Sequence, residues 1–313
     1  MWPVLLDLQS GPVFYWLSWD KEKMNRVIDI HNHIVFGVDD GAQTLEMSLS
    51  MAQQAANRGI TDIIATPHEL EQHQIEKSGL RQQKIISNFK RLQVEIIKNN
   101  IPVTIYLGSE LYFTPLVKYA TEIPYFTYLN NKKYTLIEFS LNWPPQGYKE
   151  LFYDIMNQGC TPILAHPGRY VYFWEIVDEV LDLIKMGSLL QINSGSLLGY
   201  NGIRSQYISE LLLRKGLVHF IASDAHKTSE AVSFTLTKAV DYFQHKYPKL
   251  PFEDYIYNNP QKVLEGIPIE PNDEPCFKFN VLKEKKRFKR KMFIYSIFHN
   301  DNKKKFGKRR IYF

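Results

Sequence analysis

Cysteine is scarce in this chain: Cys160 and Cys276 are the only two in 313 residues. Two thiols frame no disulfide scaffold, and their scarcity fits a reducing, cytoplasmic setting. No apolar run reaches the roughly 18 residues that a membrane-crossing helix needs. The opening stretch lacks the basic n-region and small-residue cleavage site of a secretory signal, and it shows neither a helical nor a strand period. Residues 1–23 are therefore read as an N-terminal extension, with Met24 as an alternative start.

What is present suits a protein with a sizeable core, since 44% of residues are hydrophobic and 23% charged. The length allows one large α/β domain or two ordinary ones. The net charge of +5 hides an asymmetry. From Val281 to Phe313 there are 13 Lys or Arg against Glu284 and Asp301, which gives 13 − 2 = +11 and leaves 5 − 11 = −6 for the rest. An acidic body carries a basic tail, and such a body repels nucleic acid.

Seven short runs rich in Val, Ile, Leu and Tyr alternate with amphipathic stretches. The runs are "RVIDIHNH", "DIIATPH", "VTIYLGSE", "YTLIEFS", "PILAHP", "LLQINSG" and "HFIASDAH". Between them lie helical patterns such as "TLEMSLSMAQQAANRG" and "SQYISELLLRKG", both closing on the glycine usual just past a helix end. Apolar runs alternating with helices predict a parallel sheet covered on both faces. Seven such units fit a (β/α) barrel one short of eight, with an open doubly wound sheet as the alternative.

Each run stops on something polar: His31 and His33, His68, Glu110, Glu138, His166, Asn193, then Asp224 and His226. Barrels of this kind build their active sites at those strand ends, and core packing gives no reason for ligand-type residues there. His31 and His33 lie two apart, so a strand would aim both at one face about 6.6 Å apart. Asp39 follows in the first loop. Five histidines and four carboxylates without cysteine favour Mn²⁺, Fe or Zn²⁺, and nine ligands suit two or three ions. His73, His219, His245 and His299 are read as solvated or structural.

The pieces "DIHNHIVFGVDDGAQT", "ATPH", "GSE", "LIEFS", "ILAHPGRY", "QINSGSLLG", "ASDAH" and "NNPQKVLEG" follow one another between Asn25 and Ile267. In that combination the chain resembles the polymerase-and-histidinol-phosphatase (PHP) family. Within it, the resemblance is to bacterial manganese-dependent tyrosine-protein phosphatases encoded with capsule and exopolysaccharide genes. The resemblance implies an α/β fold, a distorted (β/α)₇ TIM-like barrel over residues 24–268, with residues 269–313 as a basic C-terminal tail. It also implies a trinuclear centre. His31, His33, Glu110 and Asp224 would hold one ion. Glu110, Glu138 and His166 would hold a second, and Asp39, His68 and His226 a third. Arg169 would bind phosphate. The implied reaction is hydrolysis of phosphotyrosine by a metal-activated hydroxide. The implied substrate is a membrane-associated bacterial tyrosine kinase.

Some positions depart from the family pattern. Gly168 stands where a glutamate is common, Glu69 where a histidine or similar residue is common, and no arginine follows "SDAH", where Lys227 is the nearest cation. Cysteine-dependent phosphoryl transfer is excluded, because that route needs Cys-x₅-Arg. Six residues after the two cysteines stand His166 and Leu282. "NSGSLLGYNG" at 193–202 matches no P-loop or dinucleotide fingerprint and is read as a loop shaping the barrel mouth. Two other readings remain: a phosphoesterase of the histidinol-phosphate type, and an inactive barrel that binds a kinase. The tail, with two basic clusters around "MFIYSIF", is read either as a solvated terminus or as a peripheral contact with the inner membrane surface.

Overall fold

A computed structural model describes residues 26–69, 78–114, 129–131, 133–229, 233–271 and 274–303. The expected extension 1–23 and its alternative start lie outside the described residues. The seven runs form parallel strands in one rotation. They are β1 (Ile28–Asp29), β2 (Asp62–Ala65) continued by β3 (His68–Glu69), β4 (Thr104–Leu107) continued by β5 (Glu110–Tyr112), β6 (Tyr134–Glu138), β7 (Thr161–Leu164), β8 (Leu189–Asn193) and β9 (Phe220–Ala222).

Two runs are broken in the middle. β1, β2 and β4 pair at one end, while β3, β5, β6, β7, β8 and β9 pair in that order further round. The first and last strands meet at a parallel bridge between Asn32 and Ala225. There His33 donates its N–H to Ala225 O at 2.8 Å, and Asp224 donates its own to His31 O at 2.8 Å. The buried Asp29 carboxylate adds bonds from the Ser223 N–H (2.9 Å) and hydroxyl (2.6 Å). The sheet therefore closes, as the sequence reading expects.

Alternation explains the two cores. Ile28, Ile30, Ile64, Leu136, Ile163, Leu189, Phe220 and Ala222 fill the barrel interior. Their neighbours Ile63, Ile137, Leu164, Leu190 and Ile221 point outward to a second, larger core under the helices. One face in and one face out is the period-two pattern of a strand. α8 (Asn259–Glu265) brings Val263 and Leu264 to the inner core.

The helices behave as their patterns predict. α1 (Leu45–Asn57) starts at Thr44, whose hydroxyl accepts the Met47 N–H at 3.2 Å, and buries Met51, Ala52 and Ala55. α2 (Ser78–Lys98), α3 (Tyr148–Asn157), α4 (Val177–Lys185), α6 (Gly202–Arg214) and α7 (Leu236–Lys246) cover the sheet. The stretch read as a mouth loop instead holds a buried helical turn, α5 (Ser194–Leu197), held by Tyr200 N–H to Gly195 O at 2.9 Å. The expected tail contains α9 (Glu274–Phe277) and α10 (Val281–Lys303). The first half of α10 is no loose terminus, since Val281, Phe288 and Met292 pack on the outer core.

Candidate metal centre

The strand alternation that fills the barrel also sets much of its mouth. Counting by twos from inward residues, Ile64 leads to His68, Leu136 to Glu138, Leu189 to Gln191 and Asn193, and Phe220 to Asp224. β1 changes phase after Ile30, at the seam, and so presents His31 and His33 instead.

Glu110 is the hub. Its Oε2 lies 3.1 Å from His31 Nε2, 3.3 Å from His33 Nε2 and 3.2 Å from His68 Nδ1. Its Oε1 lies 2.9 Å from His166 Nε2. Asp224 Oδ1 is 3.4 Å from both His31 and His33 Nε2, and Glu138 Oε1 is 3.2 Å from His68 Nδ1. Four groups emerge in which every ligand atom lies within 4.8 Å of the others. They are His31/His33/Asp224, His31/Glu110/His166, His68/Glu110/Glu138 and His33/Asp40/His68/His226.

Eight of the nine expected ligands thus enter such groups, and Asp39 does not. Its carboxylate turns inward, with Oδ2 accepting from His33 Nδ1 (2.8 Å) and the His68 N–H (3.1 Å), and Oδ1 from the Gly41 N–H (2.9 Å). Asp40 enters the fourth group instead, with Oδ1 3.3 Å from His226 Nε2 and 3.6 Å from His68 Nε2. Neighbouring aspartates in a loop have no pleat to tell them apart. Gln191 was also missed, although its inward parity on β8 was a signal.

The donor set fits divalent cations. His31 Nε2 and His33 Nε2 stand 3.4 Å apart, a separation that needs a proton or a cation between two nitrogen lone pairs. Buried His166 Nδ1 has no hydrogen-bond partner among the described residues. Burial opposes ionisation of Glu110, yet His31 and the hydrogen bonds from His166, His31 and His33 hold its carboxyl well below the usual carboxylate range. Burial and the neighbouring His33 work against protonation of His68, but Glu110 and Glu138 outweigh them and raise its pKa to about 9. Ionised carboxylates wrapped around imidazoles that hold extra protons form a site tuned for positive charge.

The backbone is bent to make this possible. His166 (φ 31°) and Asp224 (φ 54°) both occupy the left-handed region, costly for side-chain-bearing residues and concentrated at functional sites. Gly41 runs against His33, where a Cβ would sit 2.1 Å from the His33 carbonyl oxygen. At Gly168 a Cβ would sit 2.3 Å from Ser209 Oγ, so α6 packs directly against this turn.

Arg169 stands at the rim, its Nη1 2.8 Å from Asp224 Oδ2 and its side chain 28% exposed. Lys227 is exposed. A cation not singled out from sequence, Arg81 of α2, donates to the His68 carbonyl at 2.9 Å, and its buried Nε has no partner among the described residues.

Residues 27–265 match the family model described as capsular polysaccharide synthesis, CpsB/CapC. The chain is 36% identical over 201 residues to the tyrosine-protein phosphatase YwqE of Bacillus subtilis, which spans 64% of this chain and 77% of that protein. It is 31% identical over 248 residues to the tyrosine-protein phosphatase CpsB of Streptococcus agalactiae, spanning 77% of this chain and 99% of that protein. It also resembles a solved structure from work on YwqE of Bacillus subtilis and CpsB of Streptococcus pneumoniae, described as unique metal-dependent tyrosine phosphatases. There the TM-score is 0.72 at 31% identity, covering 79% of this chain and 97% of that one.

Proposed function

The chain belongs to the CpsB/CapC capsular polysaccharide synthesis family, and from that membership we propose that it hydrolyses phosphotyrosine in proteins with the help of two or three divalent ions, Mn²⁺ foremost. The observation that carries the reading is the Glu110 carboxylate, reached by four imidazoles beneath an arginine at the rim. His31, His33 and Asp224 would hold one ion. His166 and Glu138 would hold a second with Glu110 shared, and Asp40, His68 and His226 a third. Asp39 orients His33. Bound there, such ions lower the pKa of water and neutralise phosphoryl charge.

The chain's own groups do the rest. Arg169 is anchored through one nitrogen on Asp224 and keeps its other N–H donors for phosphoryl oxygens, whose charge is spread in the transition state. Arg81 is the candidate for the second cation that the segment after His226 lacks. A phenol leaves with a pKa near 10, so no dedicated acid is required. The thiols stay out of the chemistry: burial pushes Cys160 up to about 12.

The substrate we infer is a bacterial tyrosine kinase of the capsule or exopolysaccharide system. Purified protein should turn over p-nitrophenyl phosphate and a phosphotyrosine peptide with added Mn²⁺, lose both activities to a chelator, and ignore iodoacetamide. Preference for histidinol phosphate would replace this reading with the small-molecule phosphoesterase. No turnover at all with metal bound would favour a kinase-binding barrel.

A further inference from the structure

The matched family ends at residue 265, and α10 lies beyond it. This helix has two faces. Val281, Glu284, Phe288 and Met292, spaced three or four apart, turn toward the body. The Phe288 ring packs tilted against Trp174 and Tyr207, 5.3 Å and 5.4 Å between centroids, while Glu284 pairs with Lys215 at 3.3 Å. At about 100° per residue, the opposite side carries Lys283, Lys286, Arg290, Phe293 and Ile294, all exposed. Phe293 is 66% and Ile294 44% exposed. Three cations in a row thus run into two bare apolar side chains. From Val281 to Lys303 the helix has eight Lys or Arg against Glu284 and Asp301, a net 8 − 2 = +6.

Its direction follows from its contacts. α6 descends from the ligand-bearing end of the barrel, because it links the end of β8 to the start of β9. α10 meets Lys215, just past the foot of α6, through Glu284, and Tyr207, halfway up, through Phe288 and Lys291. It therefore runs antiparallel to α6 and climbs toward the metal centre.

We propose that the outward face of α10 is a contact for an anionic lipid surface, which lays the flank of the barrel against the lipid. The cations are drawn to acidic headgroups, and Phe293 and Ile294 enter the headgroup boundary, the pairing of an interfacial helix. No described helix is long and apolar enough to cross a membrane, so the contact is peripheral. It goes beyond the proposed phosphatase activity and does not depend on it.

The test is sedimentation of the full chain with vesicles of phosphatidylglycerol and phosphatidylcholine, against phosphatidylcholine alone. Binding is expected only to the anionic vesicles, and it should fall steeply as salt rises from about 0.1 M to about 1 M, where screening shortens to ~3 Å. The triple variant Lys283→Glu, Lys286→Glu, Arg290→Glu alters residues that face away from the body. It should weaken partition by about a hundredfold or more, at roughly fivefold for each cation lost, and leave p-nitrophenyl phosphate turnover as in the parent. Phe293→Trp should shift its emission to the blue on anionic vesicles. Parent protein left in the supernatant at low salt, equal binding by the triple variant, or an unshifted emission would each overturn the proposal. Vesicle binding without phosphatase turnover would sink the proposed function and leave this contact standing.

Discussion

Gln191 Oε1 faces two ligand-bearing strands at once, 3.2 Å from His31 Nδ1 and 3.2 Å from the His166 backbone N–H. Its Nε2 donates to Asn193 Oδ1 at 2.9 Å, and Asn193 in turn donates to Asp224 Oδ2 at 2.6 Å. With its oxygen fixed as acceptor, the amide requires the proton of His31 on Nδ1 and leaves Nε2 for the centre. No residue of β8 enters the four candidate groups, yet this strand aligns candidate ligands just past the ends of β1, β7 and β9.

Replacing Gln191 with Met, close in size but unable to accept, should weaken Mn²⁺ binding by about 10- to 100-fold, as outer-shell losses do. Calorimetric titration gives the affinity, and far-ultraviolet circular dichroism checks the fold. Unchanged affinity would mean that His31 needs no orienting partner.

The two adjacent aspartates should separate cleanly. Asp40→Asn removes a 71% exposed carboxylate, so it should cost one bound ion and almost no stability. Asp39→Asn should keep the ion count and weaken affinity, because the Nδ1 partner of His33 loses its charge. Metal content by mass spectrometry and thermal melting decide between them, and the reverse pattern would restore Asp39 as the ligand.

Arg169→Ala should lower kcat/KM for a phosphotyrosine peptide by about a hundredfold or more, the scale of losing one preorganised donor to the transition state. Metal content should stay as in the parent. Near-normal kinetics would pass the role of clamp to Arg81, whose own alanine variant then becomes the test.

His219 gives a pH signature away from the centre. Its Nδ1 accepts the Leu190 N–H at 3.0 Å, and burial lowers its pKa from 6.5 to about 4. The unfolded chain therefore takes up this proton at higher pH than the fold does. This stability is complete above about 6.5 and drains away as pH falls toward 4, on the order of 3 kcal/mol. His219→Asn, which keeps an acceptor for Leu190, should flatten that slope in urea melts at pH 4 to 7. An identical slope in parent and variant would remove His219 as its source.

Much of this was legible because strand parity is written in the sequence. Leu136 commits Glu138 and Phe220 commits Asp224 to the same face. The limits fall where parity ends. Asp39 and Asp40 lie in a loop, and only the fold shows which carboxylate turns inward. Gln191 carries no charge to draw notice, and its role appears only with His31 and His166 on either side. In α10, basic residues masked the spacing of Val281, Glu284, Phe288 and Met292, which a hydrophobic reading takes for a solvated tail.

The barrel is joined at one seam, and the candidate ligands straddle it. His31 and His33 stand just past the end of the first strand, Asp224 and His226 just past the last, either side of the Asn32–Ala225 bridge. An ion shared by His33 and Asp224 would tie together positions 191 residues apart (224 − 33). It would work as a removable cross-link, and cross-links over long loops restrict the unfolded chain most in the entropy model. Chelation would then do more than silence a catalyst: it would release the latch between the two ends of the barrel. Hydrogen exchange should quicken first along β1 and β9, with β6 and β7 still protected.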